Sequence, residues 1–359
     1  MTTKVPSSQR SQIRAATYDK TAVNKAAINK IGGGVEWPTL FLIVGCYLAF
    51  GLLTWFHQSL PLWVFLPLAV YIGGLYGHIQ HEVIHGHPTA ARRLNAALIF
   101  PSIWLWIPYK TSVTMHLTHH RDQHLTSPLR DPESFYVTAE AWAAKGPVAR
   151  AYLIALNSFA GRLLLSPPRA IALVWWDWLS RLAKGDRSDL SVWLTHLVAM
   201  ALPLAWAVWL CGLPLWVYLL GFVYGGVALS AMRSFLEHQA APQVGERICV
   251  VESGWFFGFL FLFNNLHIVH HSHPGLAWYR IPGRWRAQRD VYLARNGGYY
   301  YRGYAEVVRR YLFKPKEWPV HPGMPEEAGG PRHRAASGLQ GTARVPMSTA
   351  TRTVPAKPA

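Results

Sequence analysis

Residues 37–56 read WPTLFLIVGCYLAFGLLTWF, a run without a charge. At about 1.5 Å of helical rise per residue it is long enough to cross a hydrocarbon core of about 30 Å. The short link 57–61 separates it from a second apolar run that starts at Leu62, holds through Gly77, and passes without a helix breaker into HIQHEVIHGH at 78–87. The arrangement repeats at 190–210 and 213–232, joined only by Cys211 and Gly212. Trp193, Trp209 and Trp216 fall near the ends of these runs, where interfacial aromatics collect. The pattern predicts an all-α integral membrane protein with four transmembrane helices in two hairpins, spanning 37–56, 62–84, 190–210 and 213–232, and a cytosolic helical cap.

Composition agrees with that reading. The 359 residues are 51% apolar and 15% charged, against about 25% charged in soluble proteins. The 17 Trp, 16 Tyr and 15 Phe carry large apolar areas that must be buried, which excludes a disordered chain. Cys46, Cys211 and Cys249 lie far apart with no C-x-x-C spacing, so neither a disulfide framework nor a thiolate metal site is expected.

Orientation follows from Lys and Arg in the loops that flank the spans. Six of the 35 precede Trp37, twelve lie between His87 and Leu190, seventeen follow the fourth span, and the hairpin tips hold none. Both termini and the middle loop are therefore expected in the cytoplasm, and the formal charge of +17 is expected of a face beside anionic lipid. No aromatic-interleaved basic groove or nucleic-acid module accompanies the charge, so no nucleic-acid partner is expected. Residues 1–35 read as a basic cytosolic tail without a secretory h-region, 36–314 as the membrane domain, and 315–359 as a disordered tail rich in Pro, Gly, Ala, Ser and Thr. The apolar segments 96–107 and 255–266 are too short to span and are expected at the interface or re-entering it.

Thirteen of the 17 histidines sit in residues 78–87, 116–124 and 267–273 and at His238. His81 and His85 are four apart, His116 precedes His119 and His120, and His267 precedes His270 and His271. Spacings of three and four put imidazoles on one helical face. Several such faces together make a transition-metal site, because imidazole nitrogen suits iron, copper, nickel and zinc.

HEVIH at 81–85, HLTHH at 116–120, EH at 237–238 and HIVHH at 267–271 resemble the histidine boxes of the membrane fatty acid desaturase superfamily, in motif order and in their placement relative to the two hairpins. DPES at 131–134 and WYRIP at 278–282 resemble bacterial acyl-lipid desaturases and, more loosely, carotenoid ketolases. The resemblance covers roughly residues 36–300. It implies that His81, His85, His116, His119, His120, His238, His267, His270 and His271 bind two irons, with four or five nitrogens for each. It implies dioxygen as co-substrate and an acyl lipid as substrate, with the active site on the cytoplasmic side of a bacterial cell membrane. No catalytic residue is expected beyond the ligands. His78 shares the face of His81 and His85 and is expected beside the ligands, and Glu82 is expected to orient a ligand imidazole. Where structurally known animal desaturases hold a metal-bound water with an asparagine one turn before the lone histidine, this chain has Ser234. Asn264 and Asn265, just before the third box, are the candidates to replace it.

HEVIH also fits the H-E-x-x-H pattern of zinc proteases, a reading that leaves HLTHH, His238 and HIVHH without a purpose. A hydroxylase or ketolase of the same superfamily is the nearer alternative, since box spacing does not separate removal of a second hydrogen from addition of oxygen. A metal transporter would place its histidines along a midplane path, whereas these cluster at the ends of the spans. The chain has no haem, ferredoxin or dinucleotide motif. An external ferredoxin or cytochrome with its reductase is therefore expected, docking near Arg280, Arg284, Arg286 and Arg289.

Overall fold

The computed structural model describes residues 34–120 and 124–323. Nearly all of the expected N-terminal tail, and the C-terminal tail beyond residue 323, lie outside the described residues. The fold is mostly helical, and four helices are long and apolar enough to cross a membrane: α1 (Trp37–Trp55), α2 (Leu62–Ile84), α8 (Leu190–Leu210) and α9 (Leu215–Glu237). Three of them match the expected spans within a residue. The fourth runs on to Glu237 instead of ending at Met232, because nothing between the two breaks a helix.

The spans divide into an inner and an outer pair. Just over half of α2 and α9 is buried, against about a third or less of α1 and α8. On α1 the exposed residues Phe41, Val44, Leu48 and Leu52 follow at helical spacing and form an outward apolar stripe suited to lipid. The inner pair meets through glycine. A Cβ on Gly73 would lie 2.3 Å from the Phe222 carbonyl oxygen, and one on Gly226 would lie 2.7 Å from the Gly73 backbone. Only bare backbone permits this approach, the close-packing device of membrane helices.

The apolar segment around 99–107 inserts among the spans without forming a helix. Ile99, Ile103, Trp104, Leu105 and Ile107 are buried. Its carbonyls are met by hydroxyls from three spans: Tyr47 donates to Pro101 at 2.8 Å, Tyr76 to Ile99 at 3.1 Å and Tyr218 to Ile103 at 2.9 Å. Buried irregular backbone requires such partners. The segment leads out of α3 (Arg92–Leu98) and into α4 (Tyr109–His120).

Between α4 and α8 the chain forms α5 (Ala139–Ala143), α6 (Pro147–Leu156) and α7 (Phe159–Ala183). The sequence reading did not single out this region. The last two meet at a bend of 112°, where Ser158 caps the Gly161 amide at 3.1 Å, and α7 packs against α9. After α9 come α10 (Trp255–Leu260), α11 (His267–Ser272), α12 (Ile281–Arg295) and α13 (Tyr304–Tyr311). The all-α expectation needs one small correction: β1 (Val250–Val251) pairs in parallel with β2 (Tyr300–Tyr301). The tail boundary drawn at 315 also moves. The Lys316 ammonium donates to the His238 carbonyl at 2.7 Å and to the Tyr299 hydroxyl at 2.9 Å, and Val320 bridges to Val137, so the packed domain continues to about residue 320.

Candidate metal centre

Four pieces of chain converge where α2 and α9 end. His81 lies in the last turn of α2 and His85 caps it. His116, His119 and His120 occupy the C-terminal half of α4. His238 follows α9 in extended backbone, where it bridges to Ile248, and α11 carries His267, His270 and His271.

Their ring nitrogens form two groups, each with ligand atoms within 4.8 Å of one another: His81, His85, His116, His120 and His270, and His119, His238, His267 and His271. Helical spacing produces the division. On α4 the pair four apart, His116 and His120, goes to the first group while His119 turns to the second. On α11 the assignment is reversed, with His267 and His271 in the second group and His270 in the first. The groups adjoin, since the His120 and His271 rings stack with centroids 4.4 Å apart.

Four of the Nδ1 atoms are engaged outward. His119 Nδ1 lies 2.9 Å from an Asp131 carboxylate oxygen and His116 Nδ1 lies 2.9 Å from Glu133. His238 Nδ1 faces the Arg247 carbonyl at 3.3 Å. His267 Nδ1 faces Asn264 Oδ1 at 3.0 Å, with a Glu237 oxygen 3.2 Å away. These partners accept, so the rings donate from Nδ1, and in each neutral ring Nε2 is left with its lone pair.

The Nε2 atoms meet one another. His119 and His267 each lie 3.0 Å from His238 Nε2, and His271 lies 3.0 Å from His267. In the first group His85 meets His116 at 2.9 Å and His270 meets His120 at 2.9 Å. His238 and His267 both donate from Nδ1, so their Nε2 lone pairs face each other at 3.0 Å and repel unless a cation sits between them. Nitrogens bound at right angles to one metal at about 2.1 Å would themselves lie about 3.0 Å apart. The donor set and its spacing therefore fit a transition metal in each group.

Electrostatics agree. Burial holds His85, His116, His120, His238, His267, His270 and His271 below the usual histidine range, in the neutral form a ligand needs. His119 differs: burial opposes its charge, but Asp131 and Glu133 push it up to about 9. A metal entering the second group would displace that proton.

The remaining expected residues divide. Asn264 lies between the groups, its Nδ2 3.3 Å from His81 Nε2 and its Oδ1 on His267. Asn265 does not face the histidines: its Nδ2 donates to the Val251 carbonyl at 2.6 Å. Ser234 donates to the Ala231 carbonyl at 3.3 Å. His78 belongs to neither group and stands edge-on to Phe261 at 5.2 Å. Glu82 accepts from the Trp278 amide at 3.2 Å and so ties the end of α2 to the WYRIP segment. Asp131 and Glu133 were not singled out as imidazole partners, although the DPES motif contains both.

Comparison with curated proteins finds no match. The fatty acid desaturase family model matches residues 57–303, a stretch that contains every one of these histidines, and the chain belongs to that family.

Proposed function

We propose that the protein carries out oxygen-dependent desaturation of an acyl chain, with the five- and four-histidine groups each holding an iron. The observation that carries this reading is the convergence of nine imidazoles in two groups, each offering one ring nitrogen within 4.8 Å of the others in its group. Bound there, the irons would supply the oxidising power that an unactivated methylene requires. The chain's own contribution is positional. Asp131, Glu133, the Arg247 carbonyl and Asn264 fix ring orientation, and burial of the ligands keeps bulk water from the site.

The same reading puts the spans in two hairpins, with the histidines and both termini on the cytoplasmic side. The acyl chain enters from the bilayer. Electrons come from an external ferredoxin or cytochrome docked at Arg280, Arg284, Arg286 and Arg289, where opposite charge raises the encounter rate. A zinc hydrolase built on HEVIH is disfavoured, because Glu82, which would be its general base, is turned to the Trp278 amide.

The test is lipid mass spectrometry of a bacterial host that expresses the wild-type chain or His270→Ala. Loss of two hydrogens from an acyl species in the wild type alone is the expected result. Gain of one oxygen would replace desaturation with hydroxylation, and an unchanged lipid profile from iron-loaded protein supplied with a donor would overturn the reading.

A further inference from the structure

Beside the second histidine group lies a cavity of about 250 Å³, walled by α4, α7, the end of α9 and the loop at 126–136. Its lining includes the polar His238, Glu133, Arg162 and Arg169 and the apolar Trp106, Leu173 and Val174. Arg162, in the first turn of α7, is 2% exposed. Its Nε donates to the Leu156 carbonyl at 2.9 Å, and its guanidinium carbon stands 3.5 Å from the centre of the Phe135 ring. The guanidinium is thus held in place, yet Nη1 is buried without a hydrogen-bond partner among the described residues.

A buried donor on a charged group is costly unless an acceptor meets it. The carboxylates of the cavity are engaged elsewhere. Asp131 and Glu133 accept from His119 and His116, and Glu237 lies 2.9 Å from Arg233. Glu317, whose charge reaches Arg162, is met by the Tyr136 hydroxyl and by the Lys316 ammonium at 2.8 Å. The cavity therefore offers a fixed positive donor beside the candidate metal centre, with Arg169 and then the apolar Leu173 and Val174 further along the same helix.

We infer that Arg162 binds an anionic oxygen, carboxylate or phosphate, at the polar end of an acyl substrate whose chain lies against Leu173 and Val174. The inference rests on the acyl-chain reading above. Guanidinium suits the role because it stays charged and presents donors in a fixed plane to an oxyanion.

Equilibrium binding to the purified, metal-loaded full chain in detergent tests this without turnover. The probes are two pairs with the same chain: radiolabelled hexadecanoate against its methyl ester, and palmitoyl lysophosphatidate against monopalmitoylglycerol. The wild type should bind the charged member of one pair about tenfold or more tightly, the weight of a hydrogen bond to a charged group. Preference within the first pair identifies a carboxylate, and within the second a phosphate. Arg162→Met should lose the preference and Arg162→Lys keep part of it, with melting curves confirming folded protein. Leu173→Trp, which adds bulk to the cavity about three turns along α7 from Arg162 and leaves Arg162 intact, should weaken binding of the preferred probe. Equal binding of charged and neutral probes by the wild type, or an undiminished preference in folded Arg162→Met, would overturn the inference. Because binding is read apart from lipid oxidation, failure of the acyl-oxidation reading would show in the host lipids and leave this measurement standing, and the converse also holds.

Discussion

Asp131 takes three donors in a buried position: His119 Nδ1 at 2.9 Å and the Glu133 amide at 2.9 Å on Oδ1, and the Thr126 amide at 2.8 Å on Oδ2. Asp131→Asn preserves the shape and removes the charge. If the amide oxygen stays on His119 and Glu133, the new NH2 faces the Thr126 N–H, donor against donor, at a cost of about 1–3 kcal/mol. The bond to His119 also loses its charge assistance, which roughly halves a hydrogen bond of this kind. Partners behind a ligating imidazole are worth about 10- to 100-fold in metal affinity. The second group should therefore release its metal to a chelator at about 10- to 100-fold lower chelator concentration, while the first group, which lacks His119, holds its own. The assay is metal content against chelator concentration, with the melting temperature of the metal-free protein as the control for folding. Equal chelator resistance in variant and wild type would refute the argument that Asp131 orients a ligand.

Other perturbations follow from the same geometry. Glu133→Gln should weaken the first group by less than Asp131→Asn weakens the second, because the Glu133 side chain is 34% exposed and solvent can replace it; the same chelator titration reads this. Gly73→Ala would place a methyl 2.3 Å from the Phe222 carbonyl oxygen and should cost about 1–3 kcal/mol through forced separation of α2 and α9, seen as a lower melting temperature in detergent. Tyr218→Phe leaves the buried Ile103 carbonyl without its 2.9 Å donor and should destabilise by about 1–3 kcal/mol, measured by the same melt. Turnover with an acidic electron donor should fall as ionic strength rises and fall further in Arg284→Glu, whereas rates independent of salt would remove electrostatic docking from the account.

Much of the fold could be read in the sequence because it rests on local rules. Uncharged runs of about twenty residues set the spans, and histidine spacings of three and four set which rings share a face. The five and four division was within reach of the same rule, since His116 and His120 fall together while His119 turns aside. Glu82, one residue past His81 and so about 100° around α2, meets the Trp278 amide, a partner that spacing could not indicate. Asp131 and Glu133 were harder to find, because they reach α4 through a loop with no periodicity. Ser234 occupies the expected position one turn before His238, but its hydroxyl is engaged by the Ala231 carbonyl. The packing of residues 315–320 was hidden by a Pro- and Gly-rich composition that does not reveal the anchor at Lys316. Nor could spacing show that Gly73 meets Phe222 across two spans.

Metal content of the purified full chain tests the central claim most directly. From an iron-replete host the wild type should carry about two irons per chain, one for each histidine group. His85→Ala and His238→Ala, each of which removes a ring from a different group, should each lose close to one. A wild type that holds a single zinc, or no metal after iron loading, would contradict the account.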